Sequence, residues 1–376
     1  MLILLTVLQL LTPFAQATPV TVHVSDLLKL PEYSTKAFSL SASPIIELDL
    51  TEDEIAALAR KLHTTRNRCG GFVAGESYAP VVHKNLNDQI PQSLIRQPEV
   101  LALLPEAKEA NLKEFILWFS SFKTRNFSTD SGVQAMNELA ERWRALTKNV
   151  PHAEVTLYQH ADWRQPSVIV KFKGVSADEI IIGGHGDSIN TDSSDPEARS
   201  PGADDNAAGI GVITEIIRIL ADKNYRPKST LTFMAYAAEE VGLRGSMEIS
   251  ADYLAKGIPV KGVLQFDGTN YKGSQDLGLI LMEDLVDPRL NIFLEKLIGT
   301  YLKLPFAYDS CGYACSDHYS WTYRGFSAAF PFESRIKEEN PHIHSARDLL
   351  SVSQDNAYHA VPFVRLGLAY MLEMDQ

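Results

Sequence analysis

Three runs of consecutive apolar residues limit the fold more than any other part of this chain: Ile180-Ile181-Ile182, Leu231-Thr232-Phe233-Met234-Ala235-Tyr236 and Val263-Leu264-Gln265-Phe266. A strand with one wet face alternates apolar and polar residues, and these do not. Strands apolar on both faces belong to a parallel or mixed sheet covered on both sides. Helical spacing supplies the cover, over Leu112 to Phe122, Val133 to Leu146 and the apolar stretch Ala207 to Leu220, which separates the first two runs. Shorter strands are predicted at Val155 to Tyr158 and Val168 to Phe172. The expected fold is α/β, with a mixed, largely parallel central sheet, helices on both faces and an N-terminal accessory segment.

Ligands of such sheets bind at the carboxyl ends of the strands, and the polar residues gather there. The first run continues through Gly183-Gly184 into His185-Gly186-Asp187, the second into Glu239-Glu240, and the third directly into Asp267. Between the first two lies Ser200-Pro201-Gly202-Ala203-Asp204-Asp205-Asn206, ahead of the apolar helix. Asp204 or Asn206 can cap that helix, and a further carboxylate exceeds what capping needs. Asn340-Pro341-His342-Ile343-His344 adds two histidines in a Pro-marked loop. His, Asp and Glu together form a mixed nitrogen and oxygen set suited to zinc, with enough ligands for two ions sharing one carboxylate. In the Glu239-Glu240 doublet one carboxylate can ligate while the other stays free as a base. Asp187, two residues past His185, is placed to accept the N–H of its imidazole.

The strings Ser200 to Asp205, Ala235 to Gly245, Thr269 to Gly273 and Cys311-Gly312-Tyr313-Ala314-Cys315-Ser316-Asp317-His318 closely resemble the secreted bacterial leucyl aminopeptidases with two co-catalytic zinc ions, over roughly Pro98 to Gln376. The resemblance implies a zinc exopeptidase fold, peptide or protein N-termini as substrate, and two Zn2+ per chain. It implies His185, Asp205, Glu240, Asp267 and His344 as metal ligands. Asp205, not Asp204, matches the family's bridging Asp, which stands directly before an Asn or Asp and four residues before a Gly, as Asp205 does before Asn206 and Gly209. Glu239 matches the general base, and Tyr313 and Ser316 match groups that stabilise the oxyanion and hold the substrate. His344, not His342, matches the last ligand, and His318 has no metal role. Ile280, Phe330, Phe332, Ile336 and Ile343 match an apolar pocket for the first side chain. Gly268 and Glu339 depart from it: a roomier pocket with a carboxylate would accept Lys or Arg as well as Leu.

The N-terminus opens with an apolar run, Met1 to Leu11, too short to span a bilayer as a helix. Ala15-Gln16-Ala17 then fits signal peptidase, although no Lys or Arg precedes the run. The expected organisation is a signal over 1–17, a pro-segment over 18–97 and a catalytic domain over 98–376, in a protein that is secreted or periplasmic and monomeric. Within the pro-segment Thr51 and Glu54 make a capping box ahead of Ile55, Leu58 and Leu62. His63 and His83 stand isolated and read as ordinary surface or core histidines. Cys311 and Cys315 can close a short disulfide loop, and Cys69 is left over. With 47 acidic against 35 basic side chains and a net charge of -12, the chain lacks the clustered cations that nucleic acid requires. No later stretch is apolar for long enough to cross a membrane.

Two other readings use the same fold. A glutaminyl-cyclase-like acyltransferase would work with a single zinc, and a non-catalytic binding domain would have lost ligands or the base. The full ligand set with Glu239 argues against both.

Overall fold

The computed structural model of the chain describes residues 17–27, 30, 33, 45–66, 71–75 and 89–376. The apolar run from Met1 to Leu11, Cys69 and His83 lie outside the described residues. Three strands precede the main body: β1 (Thr18–His23), β2 (Ile45–Leu50) and β3 (Phe72–Ala74), in the antiparallel order β2-β1-β3. Between β2 and β3 runs helix α1 (Glu52–Arg66). The capping box forms as expected, with the Thr51 N–H donating to Glu54 Oε2 at 3.0 Å. Ile55, Leu58 and Leu62 bury the inner face of α1 against β1 and β2.

In the main body a short helix over Gln97–Leu103 is followed by helices α2 (Glu109–Phe119) and α3 (Asp130–Thr147), the last capped by Thr129, whose side chain accepts from the Gly132 N–H. Then follow β4 (Ala153–Tyr158), β5 (Ser167–Phe172), β6 (Glu179–His185), α4 (Gly209–Asp222), β7 (Thr230–Tyr236), α5 (Arg244–Lys256) and β8 (Val260–Gln265). A small sheet of β9 (Leu279–Met282), β10 (Phe306–Asp309) and β12 (Pro331–Phe332) stands beside α6 (Pro288–Leu297), β11 (Ala328–Ala329) adds an edge, and α7 (Val361–Met374) closes the fold. The central sheet has the order β11-β8-β6-β7-β5-β4. Its inner pairs β8–β6 and β6–β7 are parallel, as is β11–β8, whereas β5 and β4 join antiparallel. The expected mixed, largely parallel sheet is the one observed.

Every residue of β6 and β7 is buried, because side chains alternate between two apolar layers. Ile180, Ile182, Leu231, Phe233 and Ala235 enter the larger core, packed by α2, α3, α4 and α7. Ile181, Met234 and Tyr236 enter the opposite one, with Ile249, Tyr253 and Trp321. Burying each of these large apolar side chains is worth about 1.5–3 kcal/mol. Helical geometry begins at Ala207, as the spacing predicts, because Asp205 and Asn206 leave it (φ -108°, ψ 90° and φ -131°, ψ 40°) and Ala208 has already entered it (φ -65°, ψ -48°). Asn206 provides the expected cap, accepting from the Gly209 N–H at 3.0 Å. No helix among the described residues is long and apolar enough to cross a membrane.

Candidate metal centre

Strand register carries the site. His185 pairs with Tyr236 and Gly183 with Gln265, so Asp267, two residues past Gln265, comes level with His185. His185 Nε2 lies 3.0 Å from Asp205 Oδ1 and 3.2 Å from Asp267 Oδ1. The other oxygen of Asp205 lies 2.9 Å from His344 Nε2, which is 3.4 Å from Glu240 Oε2. Asp205 therefore offers one oxygen to each half of the site. Two buried groups result, His185 with Asp205 and Asp267, and Glu240 with His344 and His63; within each, the donor atoms lie within 4.8 Å of one another.

His63 is the residue that sequence reasoning missed. It rides on α1, is 1% exposed, and brings Nε2 to 3.2 Å from Glu240 Oε2, with its ring edge-on to His344 at 4.3 Å. Isolation in sequence gave no signal of this, because its neighbours in space are some 180 and 280 positions further along.

The polar groups fit a divalent cation better than they fit each other. Both oxygens of Asp205, both of Glu240 and Oε2 of Glu239 are buried without a hydrogen-bond donor, an arrangement that folded proteins rarely leave unexplained. Burial, reinforced by Asp205 and then Glu239, pushes the Glu240 carboxyl well above its usual range. Burial does the same to Glu239, with His185 opposing and Asp317 and Asp267 adding. Burial disfavours charge on His185, yet Asp267 and Glu239 outweigh it and raise that imidazole well above its ordinary value. His63 is pushed down to about 3 by burial, with His344 adding. Carboxylates crowded around imidazole nitrogens are the donor set of a zinc site.

Supporting residues fix these side chains. Asp187 lies 3.4 Å from His185 Nδ1, and its carboxylate accepts the backbone N–H groups of Glu239 and Glu240 at 3.0 and 3.3 Å. Ser316 Oγ–H donates to Asp267 Oδ2 at 2.6 Å, so this hydroxyl is committed to a carboxylate of the site. Asp348 accepts from the backbone of Asp204 and Asp205 and from Asn340 Nδ2, tying the Asp205 turn to the loop that carries His344. Asp204 accepts from the Asn270 and Tyr271 N–H groups, and does not cap α4. Arg125, fully buried, donates to the carbonyls of Phe119, Gly186, Pro201 and Gly202 and so clamps the His185 and Asp205 turns together. Ala238 and His344 sit at φ 56°, a left-handed conformation that non-glycine residues adopt at a cost and that concentrates at functional sites.

Beside the two groups a narrow cavity is lined by Gly268, Phe330, Phe332, Ile336, Glu339 and Ile343 of the expected pocket, and by Tyr313, with Asp205 and Asp267 in its wall. Gly268 adopts φ 60°, and a Cβ there would meet the Phe332 ring at 2.6 Å. Ile280 stands behind the cavity in β9, in the apolar cluster with Phe330 and Phe332. Cys311 and Cys315 form the expected disulfide, closing the loop that presents Tyr313. His318 is buried and stacked on Phe330 at 5.0 Å, whereas His342 faces a shallow depression away from the two groups.

The model of peptidase family M28 matches residues 167–368, from β5 into α7. Leucine aminopeptidase 1 of Coccidioides posadasii is 33% identical over 307 residues, 78% of each chain. The solved LapA aminopeptidase of Legionella pneumophila superposes with a TM-score of 0.83 at 26% identity, over 96% of this chain and 99% of that one. Likeness thus reaches a fungal protein as well as a bacterial one, wider than the bacterial group that the motifs resemble. Glutaminyl cyclase of Porphyromonas gingivalis shares the fold alone, with a TM-score of 0.59 at 15% identity over 71% of this chain and 98% of that one.

Proposed function

Since the chain belongs to peptidase family M28 and is an aminopeptidase, we propose that it removes N-terminal residues from peptides as a two-zinc, monomeric enzyme exported through residues 1–17. The observation that carries the metal count is Asp205, whose two oxygens face separate donor groups. When bound, the ions supply Lewis acidity and lower the pKa of the attacking water. His185 and Asp267 would hold one ion and Glu240 and His344 the other, with Asp205 placed to offer one oxygen to each. Glu239 takes a proton from the water and passes it to the leaving amine, a role open to it because Oε2 has no other partner. Asp187 keeps His185 and the Glu239-Glu240 backbone in place. Ser316 orients Asp267, which leaves Tyr313 as the hydrogen-bonding group toward the scissile carbonyl. A single-zinc cyclase-like enzyme would leave the second buried group without a use.

Carboxylates around the site attract the free α-amine that defines an exopeptidase substrate. Phe330, Phe332, Ile336 and Ile343 seat a large apolar first side chain, and Glu339 in the same wall adds Lys and Arg. Residues 18–97 serve as a pro-segment to the domain over 98–376. Metal content and turnover of Leu and Lys anilides, measured before and after limited proteolysis of the segment, test the reading. Expected are two zinc ions per chain, loss of turnover on chelation, recovery with zinc, and a Lys activity that Glu339→Ala abolishes while Leu activity stays. Full turnover with one ion or none would overturn the two-metal reading, and an unchanged Lys to Leu ratio the role of Glu339.

A further inference from the structure

Buried His160 satisfies both ring nitrogens, with Nδ1 at 2.7 Å from Glu248 Oε2 and Nε2 at 2.8 Å from Ser167 Oγ, and His318 satisfies neither, stacked instead on the apolar Phe330 ring. His63 satisfies only one, and its other nitrogen faces a carboxylate. Its Nδ1 lies 2.6 Å from the Ala59 carbonyl, one turn back on α1. A carbonyl can only accept, so the proton is on Nδ1 and Nε2 presents a lone pair. That lone pair is aimed at Glu240 Oε2, 3.2 Å away, and neither atom has a hydrogen-bond partner. Two lone pairs facing each other in a buried site repel unless a proton or a cation is shared between them. His344 Nε2, 3.4 Å from the same Glu240 oxygen, makes this a three-donor group of the size a cation takes. An imidazole whose other N–H donates to a backbone carbonyl is also the usual arrangement of a metal-bound histidine.

The segment that delivers His63 is fastened to the loop carrying Glu239 and Glu240. Arg244 Nη1 and Nη2 donate to Glu52 at 2.6 and 3.0 Å. The Ala74 N–H donates to the Gly242 carbonyl at 3.2 Å, and Phe72 and Ala74 pack on Ala237, Ala238 and Val241. Helix α1 is thus held where His63 completes a donor group of three with Glu240 and His344. Resting on the two-metal reading above, we infer that His63 is an additional ligand to the second metal, supplied in cis by the N-terminal segment, and that it occupies the coordination position an incoming free amine requires. The segment then acts as a latch on the metal itself, beyond covering the cavity.

Full-length chain labelled with 15N-histidine and loaded with 113Cd tests both parts. Long-range 1H–15N spectra should show cadmium coupling to three imidazoles, His63, His185 and His344. The His63→Ala variant should lose the His63 signal and release one of its two cadmium ions to chelator about 10-fold faster or more. Leucine hydroxamate, a free-amine metal ligand, should displace the His63 coupling and leave the other two. Two bound cadmium ions with coupling from His185 and His344 alone would overturn the assignment of His63 while leaving the two-metal site intact. Failure to bind two ions would overturn the two-metal reading itself. A His63 coupling that persists beside bound hydroxamate would make it a permanent ligand and sink the latch. The unsubstituted chain decides the first point even if His63→Ala does not fold.

Discussion

Glu239 and Glu240 are chemically identical neighbours whose different surroundings divide their roles. Both backbone N–H groups donate to Asp187, so the pair leaves β7 in one fixed orientation. Glu240 points to His344 and His63, whereas Glu239 Oε2 ends in the site with no protein partner. Glu239→Ala is therefore expected to retain two metal ions and lose turnover by about 10²–10⁴-fold, the usual worth of a positioned acid–base group. Metal analysis by plasma emission alongside kcat/KM checks this; parallel loss of metal and activity would instead make Glu239 a ligand. Residues such as these were legible in the sequence because each ends an apolar strand, where a charged side chain has no structural reason to be. Arg125 and Asp348 were not, since they bind backbone carbonyls and N–H groups of distant turns, and backbone partners leave no complementary residue type to notice. Ser316 was noticed through its motif, but only the fold reveals that its hydroxyl is spent on Asp267.

Strands β6, β7 and β8 convert sequence position into site geometry, and their close approach depends on residues without side chains. A Cβ on Gly184 would fall 2.6 Å from the Phe266 carbonyl, a backbone atom of the chain leading from β8 to Asp267. Gly184→Ala must force β6 and that connection apart by several tenths of an ångström. The expected cost is about 1–3 kcal/mol, as for other overpacked cores, and His185 and Asp267, 3.2 Å apart, would no longer converge. Denaturant unfolding should register the first effect and zinc affinity the second; a variant with unchanged zinc affinity would show that the register tolerates the spread. The buried strands and the helices between them were readable from uninterrupted apolar runs and 3.6-residue spacing. The N-terminal sheet β2-β1-β3 and the small sheet around β9 were not, because β3, β9, β10 and β12 have only two to four residues, too few for a period to show.

Across the whole molecule, the N-terminal segment and the main body share one apolar cluster, in which Ile55, Leu58 and Phe72 meet Ala237, Ala238 and Val241. Sequence alone divides the chain near Pro98, and it does so on the absence of candidate ligands upstream; His63 shows why that division hides a connection. Among the described residues, the Arg244–Glu52 pair is a bidentate polar contact that fastens the segment to the main body. The Arg244 guanidinium is stacked 4.6 Å above Trp163 and is almost wholly buried, while its partner Glu52 remains half exposed. Glu52→Ala would leave the Arg244 charge facing the interface without its carboxylate, at a cost of about 1 kcal/mol, reduced from that of a fully buried pair by solvent at Glu52. This loss should fall on the docking of the segment more than on the central sheet, whose core does not include residue 52. Hydrogen exchange is thus expected to accelerate in β1, β3 and α1 and stay unchanged in β6 and β7, and limited proteolysis should remove the segment faster than from the unsubstituted chain. Equal acceleration in both regions would mean that the segment and the sheet unfold as one cooperative unit, and that the chain has no separable latch.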